Sequence, residues 1–221
     1  MTTLLEPPRV KEVLTDGVLL HNISWSTYES LLRDHPDAAS PRFTYDRGDL
    51  LIMVTSPEHE QINRTLNLLV ELLAEEFEVE SRAFGSTTYK RKDLKRGFEP
   101  DSCFYFKNEE RMRGKKRLNL AVDPPPELVV EIDITSPSLE KLPLFAAFGI
   151  SEVWRFDGKE MEIFILQSGE YCNSETSLAL PKVTGEAITR FLHEGFRIGR
   201  LEWIKKVRAW ARQQKTPEQP S

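Results

Sequence analysis

The sequence predicts a mixed α/β (α+β) domain, a mixed central β-sheet flanked by helices, and three segments carry that expectation. Leu128 to Ile134 reads LVVEIDI, an almost uninterrupted apolar run of the kind found in a strand buried on both faces. Pro57 to Phe77 places Ile62, Leu66, Leu69, Val70, Leu73 and Phe77 at helical spacing, one continuous apolar stripe. Glu152 to Phe156 (EVWRF) and Met161 to Leu166 (MEIFIL) flank Asp157-Gly158, a two-residue hairpin signal. A chain of 221 residues can bury one sizeable core, and no repeat, low-complexity tract or linker divides it.

In chain order, residues 1–19 show no strong period and read as an N-terminal extension, with the folded domain spanning 20–198. Ser24 to Arg33 (SWSTYESLLR) predicts a short helix with Ser24 or Ser26 as cap, and 34–41 a loop. Phe43 to Val54 reads as a hairpin turning at Asp46-Arg47-Gly48-Asp49, where Gly48 can take positive φ. Ser56 caps the long helix, with Pro57 at the first helical position, where its missing donor costs nothing. Val79 to Tyr89 and Phe98 to Phe106 are strand-like, and Ser138 to Phe148 predicts a helix closed by Gly149 with Pro143 in its first turn or at a kink. The hairpin around Asp157-Gly158 completes the expected strands. Helical patterns follow at Glu186 to Glu194 and Gly199 to Gln214; residues 199–215 belong to the same domain, and 216–221 read as a flexible tail.

Composition narrows the class. Cys103 and Cys172 lie far apart and form no metal-ligand pattern, which fits a reducing compartment and argues against zinc. No apolar run approaches the roughly 20 residues that span a bilayer, and the opening residues lack a signal-peptide pattern, so the expectation is a soluble cytoplasmic protein without a membrane partner. The net charge of -5 predicts solubility only. Its distribution says more: Lys90 to Arg117 holds eleven bases against five acids. Lys90, Arg91, Lys92, Lys95 and Arg96 at its start are candidate phosphate contacts, the alternative being two solvated loops.

The chemistry centres on acids in apolar surroundings. Glu131 and Asp133 are two apart on a strand and share a face, and Asp101 follows Pro100 on a neighbouring strand-like segment. Such carboxylates repel one another unless neutralised. A hard divalent cation such as Mg2+ is the simplest neutraliser. No GxSxG, phosphate-cradling loop or dinucleotide fingerprint is present, and Cys103 has no recognisable histidine partner.

Ser56-Pro57-Glu58-His59, Pro100-Asp101, Pro126 to Glu131, Thr135-Ser136-Pro137-Ser138, and Lys141 leading to Gly149-Ile150-Ser151-Glu152-Val153-Trp154 occur in an order and spacing that resembles the PD-(D/E)xK nuclease superfamily. Within it they resemble the Uma-type restriction endonuclease family, over roughly residues 20 to 195. The resemblance implies a restriction-endonuclease-like core and hydrolysis of DNA phosphodiester bonds with Mg2+ or Mn2+. It implies Asp101 and Glu131 as metal ligands, the Ile132 carbonyl as a third oxygen, and Glu58 as an acid beside the metal; Glu58 reads equally as a first-turn acid favoured by the helix dipole.

One position departs from the pattern. The lysine expected two residues after Glu131 is Asp133, and the family resemblance implies that Lys141 reaches back from the following helix to replace it. Asp133 is an extra ligand or an exposed strand end; His59 is a base or phosphate ligand, or more simply a surface or packing residue. Two other functions stay open: a catalytically silent nucleic-acid-binding or interaction protein of the same fold, and a nuclease acting on RNA or structured DNA. A duplex substrate favours a homodimer, since two strands need two sites. Leu201, Trp203, Ile204, Val207 and Trp210 are its candidate interface unless they pack on the protein's own core.

Overall fold

The computed structural model describes residues 17–35, 40–116, 118–134 and 139–215. The extension up to residue 16, the Thr135 to Ser138 motif, Arg117 and the tail from Thr216 lie outside the described residues. In chain order the elements are β1 (Gly17–Leu20), α1 (Trp25–Asp34), β2 (Arg42–Asp46), β3 (Asp49–Met53), α2 (Pro57–Phe77), β4 (Arg82–Ala83), β5 (Tyr89–Arg91), β6 (Arg96–Phe98), β7 (Ser102–Tyr105) and α3 (Glu109–Met112). They continue with β8 (Leu128–Ile132), α4 (Leu142–Phe148), β9 (Glu152–Phe156), β10 (Met161–Gln167), β11 (Glu170–Ser174), α5 (Gly185–Gly195) and α6 (Arg200–Lys215).

The fold is mixed α+β, as the sequence predicts, but the strands divide between two sheets. The first is antiparallel in the order β1-β3-β2-β6-β5; the second runs β11-β10-β9-β8-β7-β4 and is mixed, β8 and β9 being its parallel pair. Two expected strands are each shared between the sheets. Val79 to Tyr89 yields β4 in the second sheet and the start of β5 in the first, and Phe98 to Phe106 yields the end of β6 in the first and β7 in the second. Pro100 lies at that second crossing, where its missing N–H leaves no donor for a ladder.

β8 shows why a strand can be apolar throughout. Leu128, Val130 and Ile132 face a core shared with α2, α5 and α6, while Val129 faces a second core with Phe145 and Phe148 of α4 and Tyr89 and Phe98 of β5 and β6. Both faces are covered, so alternation disappears. A third, smaller core joins Tyr28 of α1 to Phe43, Tyr45 and Leu50 of the β2–β3 hairpin. Trp203 and Val207 of α6 are buried on the first core, and Ile204 and Trp210 pack against it, leaving Leu201 exposed.

The capped elements form where their signals stand. Ser24 accepts from the Thr27 amide, and Ser56 from the His59 amide at 3.2 Å with Pro57 in the first turn. The β2–β3 turn pairs Asp46 with Asp49, with Arg47 and Gly48 both at positive φ. Elsewhere the sequence is less direct. Phe156 pairs with Met161, so the β9–β10 connection has four residues; Asp157 Oδ1 accepts from the amides of Lys159 and Glu160 at 2.8 Å and builds the extra turn. β11, absent from the expected strands, pairs with β10 across Ser168-Gly169, both at positive φ, and β1 pairs with β3 inside the stretch read as an extension. α4 begins only at Leu142, with Pro143 in its first turn.

Gly97 in β6 lies against the buried Tyr28, where an added Cβ would be 2.9 Å from ring carbons Cε1 and Cζ. Gly97→Ala is expected to destabilise the protein by about 1–3 kcal/mol through overpacking. Thermal unfolding should show a Tm lowered by several degrees, while Gly114→Ala meets no atom within 4 Å and carries only the backbone strain of its positive φ.

Candidate active site

The crossing between the sheets creates the site. Asp101 follows Pro100 immediately before β7, and the antiparallel register Ser102 to Val130 carries it opposite Glu131 at the end of β8. Both are nearly inaccessible, 7% and 3% exposed. Asp101 Oδ2 accepts from the Ile132 amide at 2.8 Å, and Asn63 of α2 donates to the Asp101 carbonyl at 3.1 Å. Those bonds fix the carboxylate from the strand and from the helix together.

Cations surround the pair. Arg42, first residue of β2, donates through Nη1 to Asp101 Oδ1. His59 Nε2 stands 3.2 Å from Asp101 Oδ2, an ion-pair distance off the line of a hydrogen bond, so the ring nitrogens have no aligned partner among the described residues. Lys141, at the cap position of α4, places Nζ on Glu131 Oε2 and 3.8 Å from Asp133 Oδ1. The acids expected to need a metal for neutrality are therefore neutralised by Arg42, His59 and Lys141, because three elements remote in sequence deliver bases to the ends of β7 and β8.

Electrostatics differ between the acids. Burial opposes ionisation of Asp101, but His59, then Arg42 and Lys141, outweigh it and hold its pKa below the ordinary carboxylate value. Burial pushes Glu131 up to about 7 against the pull of Lys141, with Asp101 and Asp133 adding to the rise. Burial alone would lower the Lys141 pKa, yet Glu131, Asp133 and Asp101 raise it, so Lys141 stays protonated. His59 is likewise raised, Asp101 outweighing burial.

The expected residues divide accordingly. Asp101, Glu131, Lys141 and His59 come together, with Ile132 engaged through its amide; Asp133 lies at the rim, its side chain 44% exposed. Glu58 is exposed on the first turn of α2, and its neighbour His59 turns inward instead. Arg42 and Asn63 escaped the sequence analysis. Nothing local marks Arg42, but His59, Asn63 and Asn67 stand four apart, a polar line beside the apolar stripe of α2, and that line was a legible sign of a buried polar contact.

Among the described residues, no group of three or more His, Cys, Asp and Glu side chains is arranged to hold a metal ion. The donor chemistry fits a hard cation nonetheless. The β7–β8 register sets Asp101 opposite Glu131, so the two offer carboxylate oxygens from neighbouring chain segments, the donor type a hard cation takes. Of the five candidate phosphate contacts, Lys90, Lys92 and Lys95 are exposed, Arg91 is bonded to Asp93 at 2.6 and 2.9 Å, and Arg96 is bonded to Asp46 at 2.8 and 3.3 Å with its side chain only 13% exposed. Among the described residues, no helix is long and apolar enough to cross a membrane.

Residues 25–197 match the model of the Uma2 family, described as "Putative restriction endonuclease", and the chain is a member of that family. A crystal structure described as "a putative nuclease belonging to DUF820", from Anabaena variabilis, is similar at 15% identity and a TM-score of 0.49, covering 77% of this chain and 99% of its own. None of the curated proteins matches the chain.

The Lys141–Glu131 pair is buried, with side chains 14% and 5% exposed. Lys141→Met should cost about 3–5 kcal/mol by leaving Glu131 uncompensated, and the double variant Lys141→Met/Glu131→Gln should recover much of it. Urea unfolding checks this, the expected coupling being about 1–3 kcal/mol.

Proposed function

We propose that the chain is a divalent-metal-dependent endonuclease that hydrolyses DNA phosphodiester bonds. In this reading Asp101 and Glu131, with the Ile132 carbonyl, hold Mg2+ or Mn2+, and Lys141 serves as the lysine of the acid, acid and lysine set. The observation that carries the reading is the approach of Lys141, at the entry to α4, onto Glu131, beside Asp101, in a chain that has Asp133, just past β8, at the superfamily's lysine position.

When bound, the cation supplies positive charge to the phosphodiester and makes water more acidic. The protein's own residues do the rest. Asp101 is kept ionised by His59, Arg42 and Lys141 and is held in place by the Ile132 amide, so it offers a fixed anionic oxygen. Lys141 keeps its proton and can orient a water or meet developing negative charge at the phosphate. His59 lies close enough to Asp101 to fix its orientation, while Glu58, one residue away and exposed, is available to approaching substrate. Lys90, Lys92 and Lys95 supply phosphate contacts away from the acids. We further propose that the protein works in the cytoplasm as a homodimer, one site for each strand of a duplex.

A second reading has a specific observation behind it. Arg42 and Lys141 already neutralise the acids, so the cluster is electrostatically complete without a metal, as in a nucleic-acid-binding protein that has no turnover. Nicking of supercoiled plasmid separates the two. Wild-type protein is expected to nick with Mg2+ or Mn2+ and not with EDTA, and Asp101→Ala, Glu131→Ala and Lys141→Ala each to lose at least about 100-fold. No cleavage of plasmid, single-stranded DNA or RNA, together with no shift of Tm by Mg2+, would establish the silent reading.

A further inference from the structure

The pocket that holds Glu131, Asp133 and Lys141 does not end there. Its wall includes Glu140, Leu142 and Arg155, and the same three residues line a larger open groove that runs beside α4 to Arg96 and Tyr171. Arg155 therefore stands at the junction of the acidic pocket and the groove. Its place follows from the sheet: β9 runs parallel to β8 with Glu131 beside Arg155, so both side chains share a face.

A phosphodiester entering this pocket meets the carboxylates of Glu131, Asp133 and Glu140. Cations on the walls are needed to admit it, and two of the three are already committed. Lys141 is on Glu131 with its side chain 14% exposed, and Arg96 is on Asp46 at 13%. Arg155 is different. Its guanidinium bonds Glu162 of β10 at 2.8 and 3.2 Å, but both side chains are about a third open to solvent, at 30% and 32%. An ion pair so exposed is worth little, and water can take over the glutamate when another anion claims the arginine. The guanidinium carbon also lies 4.8 Å over the Phe164 ring, which limits its freedom before any ligand arrives. A planar, partly ordered guanidinium presents paired donors that match two phosphate oxygens.

We infer that Arg155 binds a backbone phosphate neighbouring the scissile one, exchanging Glu162 for it, and thereby directs the nucleic-acid strand from the acidic pocket into the groove beside α4. This rests on the nuclease reading above and adds the substrate's path to it. Arg155 is a substrate-positioning residue here; the bond-breaking chemistry stays with Asp101, Glu131 and Lys141.

The test is binding of a short DNA duplex in Ca2+, followed by fluorescence anisotropy over a salt series, with Mg2+-dependent nicking kinetics in parallel. Arg155→Gln should weaken binding about tenfold and lower the slope of log K against log salt by about 0.9, the signature of one lost phosphate contact. Its KM should rise while kcat stays near the wild-type value. Arg155→Lys should keep the salt slope, Glu162→Gln should bind at least as tightly as wild type, and Lys182→Gln, on an exposed loop, should change nothing. Equal weakening by Arg155→Gln and Glu162→Gln would mark the pair as structural and overturn the inference, as would wild-type binding and slope in Arg155→Gln. Wild-type protein that neither binds nor cleaves nucleic acid would instead overturn the nuclease reading, and this inference with it.

Discussion

Taking Asp101 and Glu131 out of water sets a requirement that reaches through most of this molecule. A buried carboxylate without compensation costs several kcal/mol, and these two face each other across the β7–β8 ladder. Compensation arrives from Arg42 at the start of β2, His59 in the first turn of α2, Lys141 at the entry to α4, and the amide of Ile132. Each comes from a different element. Charge neutrality at the site thus ties the first sheet, the second sheet and two helices to one point, beside the second core in which Tyr89 and Phe98 of the first sheet pack with Val129 of the second.

The crossing that makes this possible is short. After Phe98 the chain leaves the first sheet, and Glu99 accepts from the Phe43 amide and the Thr88 hydroxyl, so its carboxylate holds the edge of the β2 strand while the backbone departs. Pro100 supplies no donor to either ladder. Ser102 then enters the second sheet and is bonded to Asn63 and Asn67 of α2. Asp101 is fixed between two anchors on either side, which explains how an acid at a strand junction acquires a single orientation.

What the sequence revealed and what it hid have the same physical origin. α2, α5, the β2–β3 hairpin and β8 announce themselves through caps, period and turn residues, all local signals, and Asp101, Glu131 and Lys141 are recognisable because they stand in motifs. Arg42 is invisible because its partner lies at the entry to the other sheet, 59 positions on. The division into two sheets is equally non-local: nothing in Val79 to Tyr89 states that its ends pair with different partners. β11 is an edge strand with a largely exposed face, so Glu170 to Ser174 lacks the apolar alternation that reveals a half-buried strand. The basic tract from Lys90 was legible as charge but not as geometry, since Arg91 and Arg96 are bonded to Asp93 and Asp46.

The position of the lysine has a structural consequence. On a strand, as in the superfamily pattern, the residue two after Glu131 shares its face automatically; here that residue is Asp133, at the half-exposed end of the sheet. Lys141 reaches Glu131 only if α4 is seated, and α4 has seven residues, too few to be stable alone. Its seating depends on Leu144, Phe145 and Phe148 in the second core and on Gly149, whose positive φ closes the helix with its amide on Ala146. Arg96 adds a contact at 3.4 Å to the Pro143 carbonyl while holding Asp46 of the first sheet. A lysine carried by a strand beside Glu131 would be placed by the ladder; Lys141 is placed by the packing of a small helix against both sheets, so in this protein the order of α4 and the Lys141–Glu131 ion pair are one property.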